Sequence, residues 1–135
     1  MRVSGRWRAL AAGIAALGLA GGPAGAQSLE PMRGEIVSFA DRFAVKVYPG
    51  NPYPTSIRID VGVYDAAYRP IAAFVAPRGA VIGSGQRRRV LVIVPFEGET
   101  RREVRICAEA SPVETGETRI RAQTCGRFIA TRHAP

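Results

Sequence analysis

The residues of this chain able to do covalent chemistry are few. Cys107 and Cys125 are its only cysteines and His133 is its only histidine. Catalysis of the Ser/His/Asp or Cys/His kind requires a histidine held in place as base, and His133 sits in a terminal His133-Ala134-Pro135 stretch that reads as frayed. A metal centre requires several ligands in one cluster, which one histidine and one cysteine pair do not supply. Glu97, Glu99, Glu103 and Glu109 are scattered in the manner of solvated strand faces and loops. The chain therefore reads as a non-enzyme that uses no metal and no cofactor. Two chemistries remain: the thiol pair, and positive charge carried almost wholly by arginine, including the run Arg87-Arg88-Arg89.

The thiol pair sits in two alternating segments. With a period of two, Val104, Ile106, Ala108 and Ala110 share one face, and Arg105, Cys107 and Glu109 the other. Ile120, Ala122, Thr124 and Phe128 likewise fall on one parity, with Arg119, Arg121, Gln123, Cys125 and Arg127 on the other. SPVETGET between them is a turn-rich connector. Two half-buried strands can thus pair antiparallel with both cysteines on the polar face, which predicts a cross-strand disulfide. A redox dithiol would call for a close spacing such as C-x-x-C, which is absent. Closing a loop of about 18 residues is worth roughly 3 kcal/mol in the chain-entropy picture.

The front of the chain bears on the compartment. Arg2, Arg6 and Arg8 make a positive start, Ala9 to Ala20 is a short apolar run, and Ala24-Gly25-Ala26 is a small-residue cleavage site. The run has about 12 residues against roughly 20 for a membrane span. Residues 1–26 read as a cleaved secretory signal, and residues 27–135 as one small domain delivered to the periplasm. A disulfide suits that oxidising destination. Removing the leader takes away three arginines and no acid, so the net charge falls from +8 to +5. Such a basic product can meet acidic partners, membrane surfaces or polyanions, but no nucleic-acid recognition motif is present.

The rest of the chain supplies further strands. Gln27 to Phe39 is a lead-in broken by Pro31 and Gly34, and proline confines it to an edge or irregular position. Phe43 to Tyr48 alternates cleanly, and Pro49-Gly50-Asn51-Pro52 with Pro54 is a loop. In Ser56 to Tyr64, residues Ile57, Ile59, Val61 and Val63 point one way, Arg58 and Asp60 the other. Ile71 to Val75 is a shorter strand, and Val81-Ile82 precedes a Gly83-Ser84-Gly85 turn. Arg87 to Pro95 is nearly continuous in apolar residues, as for a strand buried on both sides. About seven short strands with Gly/Pro turns and no helical periodicity predict an all-β, immunoglobulin-like sandwich.

Order and spacing together resemble a family. Ala76-Pro77-Arg78-Gly79-Ala80-Val81-Ile82-Gly83-Ser84-Gly85-Gln86, followed by Arg87 to Val94, resembles the N-terminal domain of the periplasmic pilus-assembly chaperones, the PapD-like family. SIRIDVGVYDA looks like the second strand of that domain and REVRICAEASP like the strand ending in a short acidic-apolar-Pro segment. The resemblance spans roughly Leu29 to Arg132.

Several expectations come with it. Two basic residues of the family anchor the terminal carboxylate of a pilus subunit. Arg33, four residues beyond Leu29, matches the first; Arg127 in GRFIATR matches the second, where the family typically has lysine. Arginine keeps the charge and changes the geometry. The last strand is lent to the subunit by strand addition, with Thr118, Ile120 and Ala122 in the positions that fill the subunit's groove. The resemblance thus implies a partner that is an exported subunit or an extended peptide segment, received along an open outer edge framed by the two arginines. The family carries a second immunoglobulin-like domain where this chain ends, so the expectation is a single-domain variant. Beside this reading stand two others: a structural or adhesive module without chaperone activity, and a polyanion binder using Arg87 to Arg89.

Overall fold

The computed structural model describes residues 28–113 and 121–134. The expected leader, residues 1–26, and, in the expected donor stretch, Thr118 and Ile120 lie outside the described residues. Nine strands follow in chain order: β1 (Ser28–Glu30), β2 (Arg33–Ser38), β3 (Arg42–Gly50), β4 (Ile57–Asp65), β5 (Phe74–Ala76), β6 (Gly79–Ile82), β7 (Val90–Pro95), β8 (Arg101–Pro112) and β9 (Ala122–Arg132). They form a four-stranded sheet, β1-β3-β7-β5, and a five-stranded sheet, β2-β9-β8-β4-β6, packed as a sandwich. Neighbours pair antiparallel, except that β2 runs parallel to β9.

The count exceeds the expected seven because the chain changes sheet twice within one apolar stretch. It crosses at Pro31-Met32 between β1 and β2, and at Pro77-Arg78 between β5 and β6. Proline has no N–H to give a ladder, so each break falls beside one. The lead-in ends at two sheet edges, as its composition predicts.

Period-two patterning becomes burial on one face of each sheet. Ile57, Ile59, Val61 and Val63 of β4 are at most 5% exposed, and Phe43, Val45 and Val47 of β3 face them from the other sheet's core side. The rings of Phe43 and Phe96 meet at 5.0 Å. Strand β7 departs from expectation. Val90, Val92 and Val94 are buried, whereas Leu91 and Ile93 are half-buried. Among the described residues no third layer lies over the outer side of this sheet, so the apolar run is covered on one face, beside the exposed Phe74.

One core side chain sets β2 against β9. Phe128 is buried, and its ring occupies a notch made by two glycines. A Cβ on Gly34 would come within 2.9 Å of that ring, and one on Gly126 within 2.8 Å. At the far end of the sandwich Asn51 is the buried polar side chain among the described residues. Its amide nitrogen donates to the Thr55 and Ile82 carbonyls at 2.8 Å each, and its oxygen accepts from Tyr53 N at 2.9 Å. The terminus expected to fray is tied down as far as His133. Its N–H donates to Ser38 O at 2.9 Å and its ring packs on Phe39, just beyond the level where β2 and β9 end together at Ser38 and Arg132.

Candidate functional site

The hairpin of β8 and β9 is the frame of the site. Cys107 stands directly opposite Cys125, with Cα atoms 4.0 Å apart, and the two form a disulfide. The predicted bond is therefore present, on the outer face of the five-stranded sheet. Opposing these two residues determines every other pair along the hairpin, including Arg105 opposite Arg127.

That level of the sheet carries a row of side chains on its outer face. Register aligns Tyr64 with Arg105, Arg105 with Arg127, and Arg127 with Arg33. Three guanidinium groups on adjacent strands repel one another, and the surroundings compensate two of them. Glu103 takes Arg127 in a two-pronged contact, Nε at 2.8 Å and Nη2 at 3.0 Å, and also meets Arg105 at 3.1 Å. Arg105 lies over the Tyr68 ring at 5.5 Å. The hydrogen bond from Arg127 holds the Glu103 carboxyl below the usual carboxylate range, and the same contact raises Arg127 above its ordinary value. Arg33 has no ion pair among the described residues. Arg33, Gly34, Glu35, Arg127 and Ile129 line a shallow depression of about 300 Å³.

The outer edge of β9 differs from the expected open edge. Strand β2 covers it from Arg127 to Arg132, with Arg127 N donating to Met32 O at 2.8 Å. An exposed strand edge presents unpaired backbone groups, and the lead-in, turned by Pro31, satisfies that half. The β2 ladder stops at Arg33 and does not reach Ala122–Gly126. The two arginines thus stand where the β2 ladder ends, and among the described residues no strand pairs with Ala122–Gly126 on that side.

Ala122 opens β9 opposite Ala110. Both belong to the inward parity and line an apolar cavity of about 280 Å³ with Tyr53, Pro54, Thr55 and Ile57. The run Arg87-Arg88-Arg89 lies apart from this site, ahead of β7. Arg87 pairs with Glu30, and Arg88 N donates to Pro49 O at 3.0 Å.

No protein-family model and no curated protein matches the chain. Solved structures do. A chain from the complex of the Salmonella enterica SafA pilin with the SafB chaperone superposes with a TM-score of 0.66 at 18% identity, over 81% of this chain and 55% of that one. The E. coli chaperone DraB gives 0.65 at 16% identity, over 81% and 56%. A PapD-like domain of human CEP192 gives 0.60 at 8% identity, over 95% and 99%.

The fold is PapD-like.

The family resemblance read from the sequence is borne out at the level of the fold. The chain spans little more than half the length of these two bacterial structures and nearly all of the CEP192 domain. Within this PapD-like domain, sequence reasoning passed over Glu103, Arg105 and Tyr68. The signal for the first two was available: they share the parity of Cys107, and the disulfide register carries them to Arg127. Tyr68, on the bend after β4 with φ of 58°, had no such signal.

Proposed function

We propose that this chain is a periplasmic chaperone or assembly factor that binds an extended segment of an exported subunit by β-strand addition. Arg33 and Arg127 hold the segment's terminal carboxylate. The observation that carries the reading is the opposition of these arginines where the β2 ladder ends. Charge-assisted hydrogen bonds from guanidinium to carboxylate are among the strongest a surface can offer. A guest whose last residue meets Arg33, and whose body continues toward Ala122, runs parallel to β9 and prolongs the line of β2. Backbone hydrogen bonds then supply affinity and side-chain pockets supply selectivity. The leader-like start and the disulfide agree with an oxidising compartment. Similarity to structures of pilus chaperones, one solved with its pilin, supports the partner class.

The test compares extended peptides ending in a free carboxylate or an amide, against the wild-type chain and the Arg33→Ala, Arg127→Ala double variant. Loss of a charge-assisted bond corresponds to about tenfold or more in affinity. Amidation and the double substitution should each weaken binding by that amount while the domain stays folded. Equal affinity for all four combinations overturns the reading.

A structural or adhesive module is the second reading. Two observations favour it: the match over nearly the whole CEP192 domain, and the prior engagement of Arg127 by Glu103. It requires no dependence on a carboxylate.

A further inference from the structure

We propose that the outer face of the four-stranded sheet is a docking surface for an anionic phospholipid membrane. The observations behind it are independent of the strand-addition reading, and the face lies on the other side of the sandwich from Arg33 and Arg127.

The buried residues of this sheet determine which side chains face out. Val45 and Val47 of β3, Val90, Val92 and Val94 of β7 and Val75 of β5 are buried, so the residues between them stand on the outer side. Register sets these in rows: Phe74 beside Ile93 and Ile93 beside Ala44, then Ala76 beside Leu91 and Leu91 beside Lys46. The apolar members form one patch with Lys46 at its corner. Phe74 is 58% exposed. Beside it the face dips into a depression of about 510 Å³, lined by Ala73, Ile93 and Pro95 with Asp41 and Arg42 at its rim. Contiguous exposed apolar surface marks a place where something docks.

Charge says what docks. Beyond Lys46 on the same face comes Tyr48, and Arg87 and Arg89 precede β7 with the outward parity. A Cβ on Gly50 would come within 3.3 Å of Arg87 Cγ, which places that arginine's stem on this face. Lys46 and Arg89 make no ion pair among the described residues. The outward positions of β3 and β7 hold no carboxylate. Acids stand at the two ends, each met by an arginine: Glu30 by Arg87, and Asp41 by Arg42 at 3.4 Å. The five-stranded sheet differs, with Glu35, Asp60, Glu103 and Glu109 interspersed among the arginines of its outer face. Cations beside an apolar patch match a membrane interface, where anionic headgroups attract lysine and arginine and apolar side chains enter the acyl boundary. The Lys46 stem stands beside Leu91, so its charge can reach a headgroup while its methylenes stay on apolar surface. A soluble polyanion would use the cations alone and leave Phe74 uncovered.

The experiment measures sedimentation of the full chain with vesicles of phosphatidylglycerol mixed with phosphatidylcholine, and of phosphatidylcholine alone. Residues 1–27 are common to all variants, so differences between variants report on this face. The wild type should bind the anionic vesicles, less so as salt rises, and bind the neutral ones far more weakly. Lys46→Glu should weaken binding to the anionic vesicles about tenfold or more. Arg58→Glu makes the same change in net charge on the outer face of the other sheet and should stay within about twofold, because a charge far from the lipid is screened. Phe74→Ser should cost about tenfold through its lost apolar burial. Circular dichroism checks that each variant is folded. Absence of wild-type binding overturns the proposal, and so does an equal loss from Lys46→Glu and Arg58→Glu, which would mean attraction by net charge alone. Full binding by Phe74→Ser assigns the cations to soluble polyanions and overturns it too. A dimer that Phe74→Ser converts to a monomer gives the face to a second copy, and the proposal falls.

Discussion

Arg33 and Arg127 face each other across the parallel ladder of β2 and β9, yet their charges are in different states. Arg127 is held in a two-pronged contact by Glu103, while Arg33 has no carboxylate partner among the described residues. In the proposed complex a carboxylate would meet one guanidinium that is available and one that must be shared.

Glu103→Gln tests that sharing. Removing the internal competitor should strengthen binding of a carboxylate-ending peptide by about twofold to fivefold, the scale of a solvent-accessible ion pair. Titration calorimetry on the wild-type and variant chains reads it. Weaker binding by the variant would mean that Glu103 chiefly orients Arg127 for its ligand.

The same carboxylate gives a pH signature. The hydrogen bond from Arg127 lowers the folded-state value of Glu103, so its contribution to stability is complete above the ordinary carboxylate range and is lost as pH falls through that lowered value. The thermal midpoint of Glu103→Gln should lie below wild type at neutral pH. The gap should begin to close below about pH 4. A gap that stays constant through acid would assign the effect to packing.

Replacing both Cys107 and Cys125 with serine should lower unfolding stability by roughly 3 kcal/mol, the entropy of an opened loop spanning 18 residues. Denaturant titration with and without reductant measures it. Reductant should affect the wild type and leave the variant unchanged.

Gly126→Ala should lower stability by about 1–3 kcal/mol. Its Cβ would sit 2.8 Å from the Phe128 ring and 3.1 Å from Met32 O, and the carbonyl belongs to backbone that cannot swing aside. The loss should appear together with weaker protection of the β2 amides from hydrogen exchange, because Phe128 is what seats β2 on β9.

Much of this protein could be read from neighbouring residues along the chain. Alternation in Phe43 to Tyr48 and Ser56 to Tyr64 determined which side chains are buried, because a strand's two faces differ at every step. The shared parity of Cys107 and Cys125 foretold their bond, and through it the opposition of Arg105 and Arg127. Glu103 looked like one solvated acid among several because its contact with Arg127 runs diagonally across the hairpin. The halting of β2 midway along β9 had no local signature at all. A parallel pair has no connecting hairpin to set its register, so here the register depends on the Phe128 ring fitting between Gly34 and Gly126. That single long-range fit brings Arg33 beside Arg127 and covers half of an edge that sequence left open.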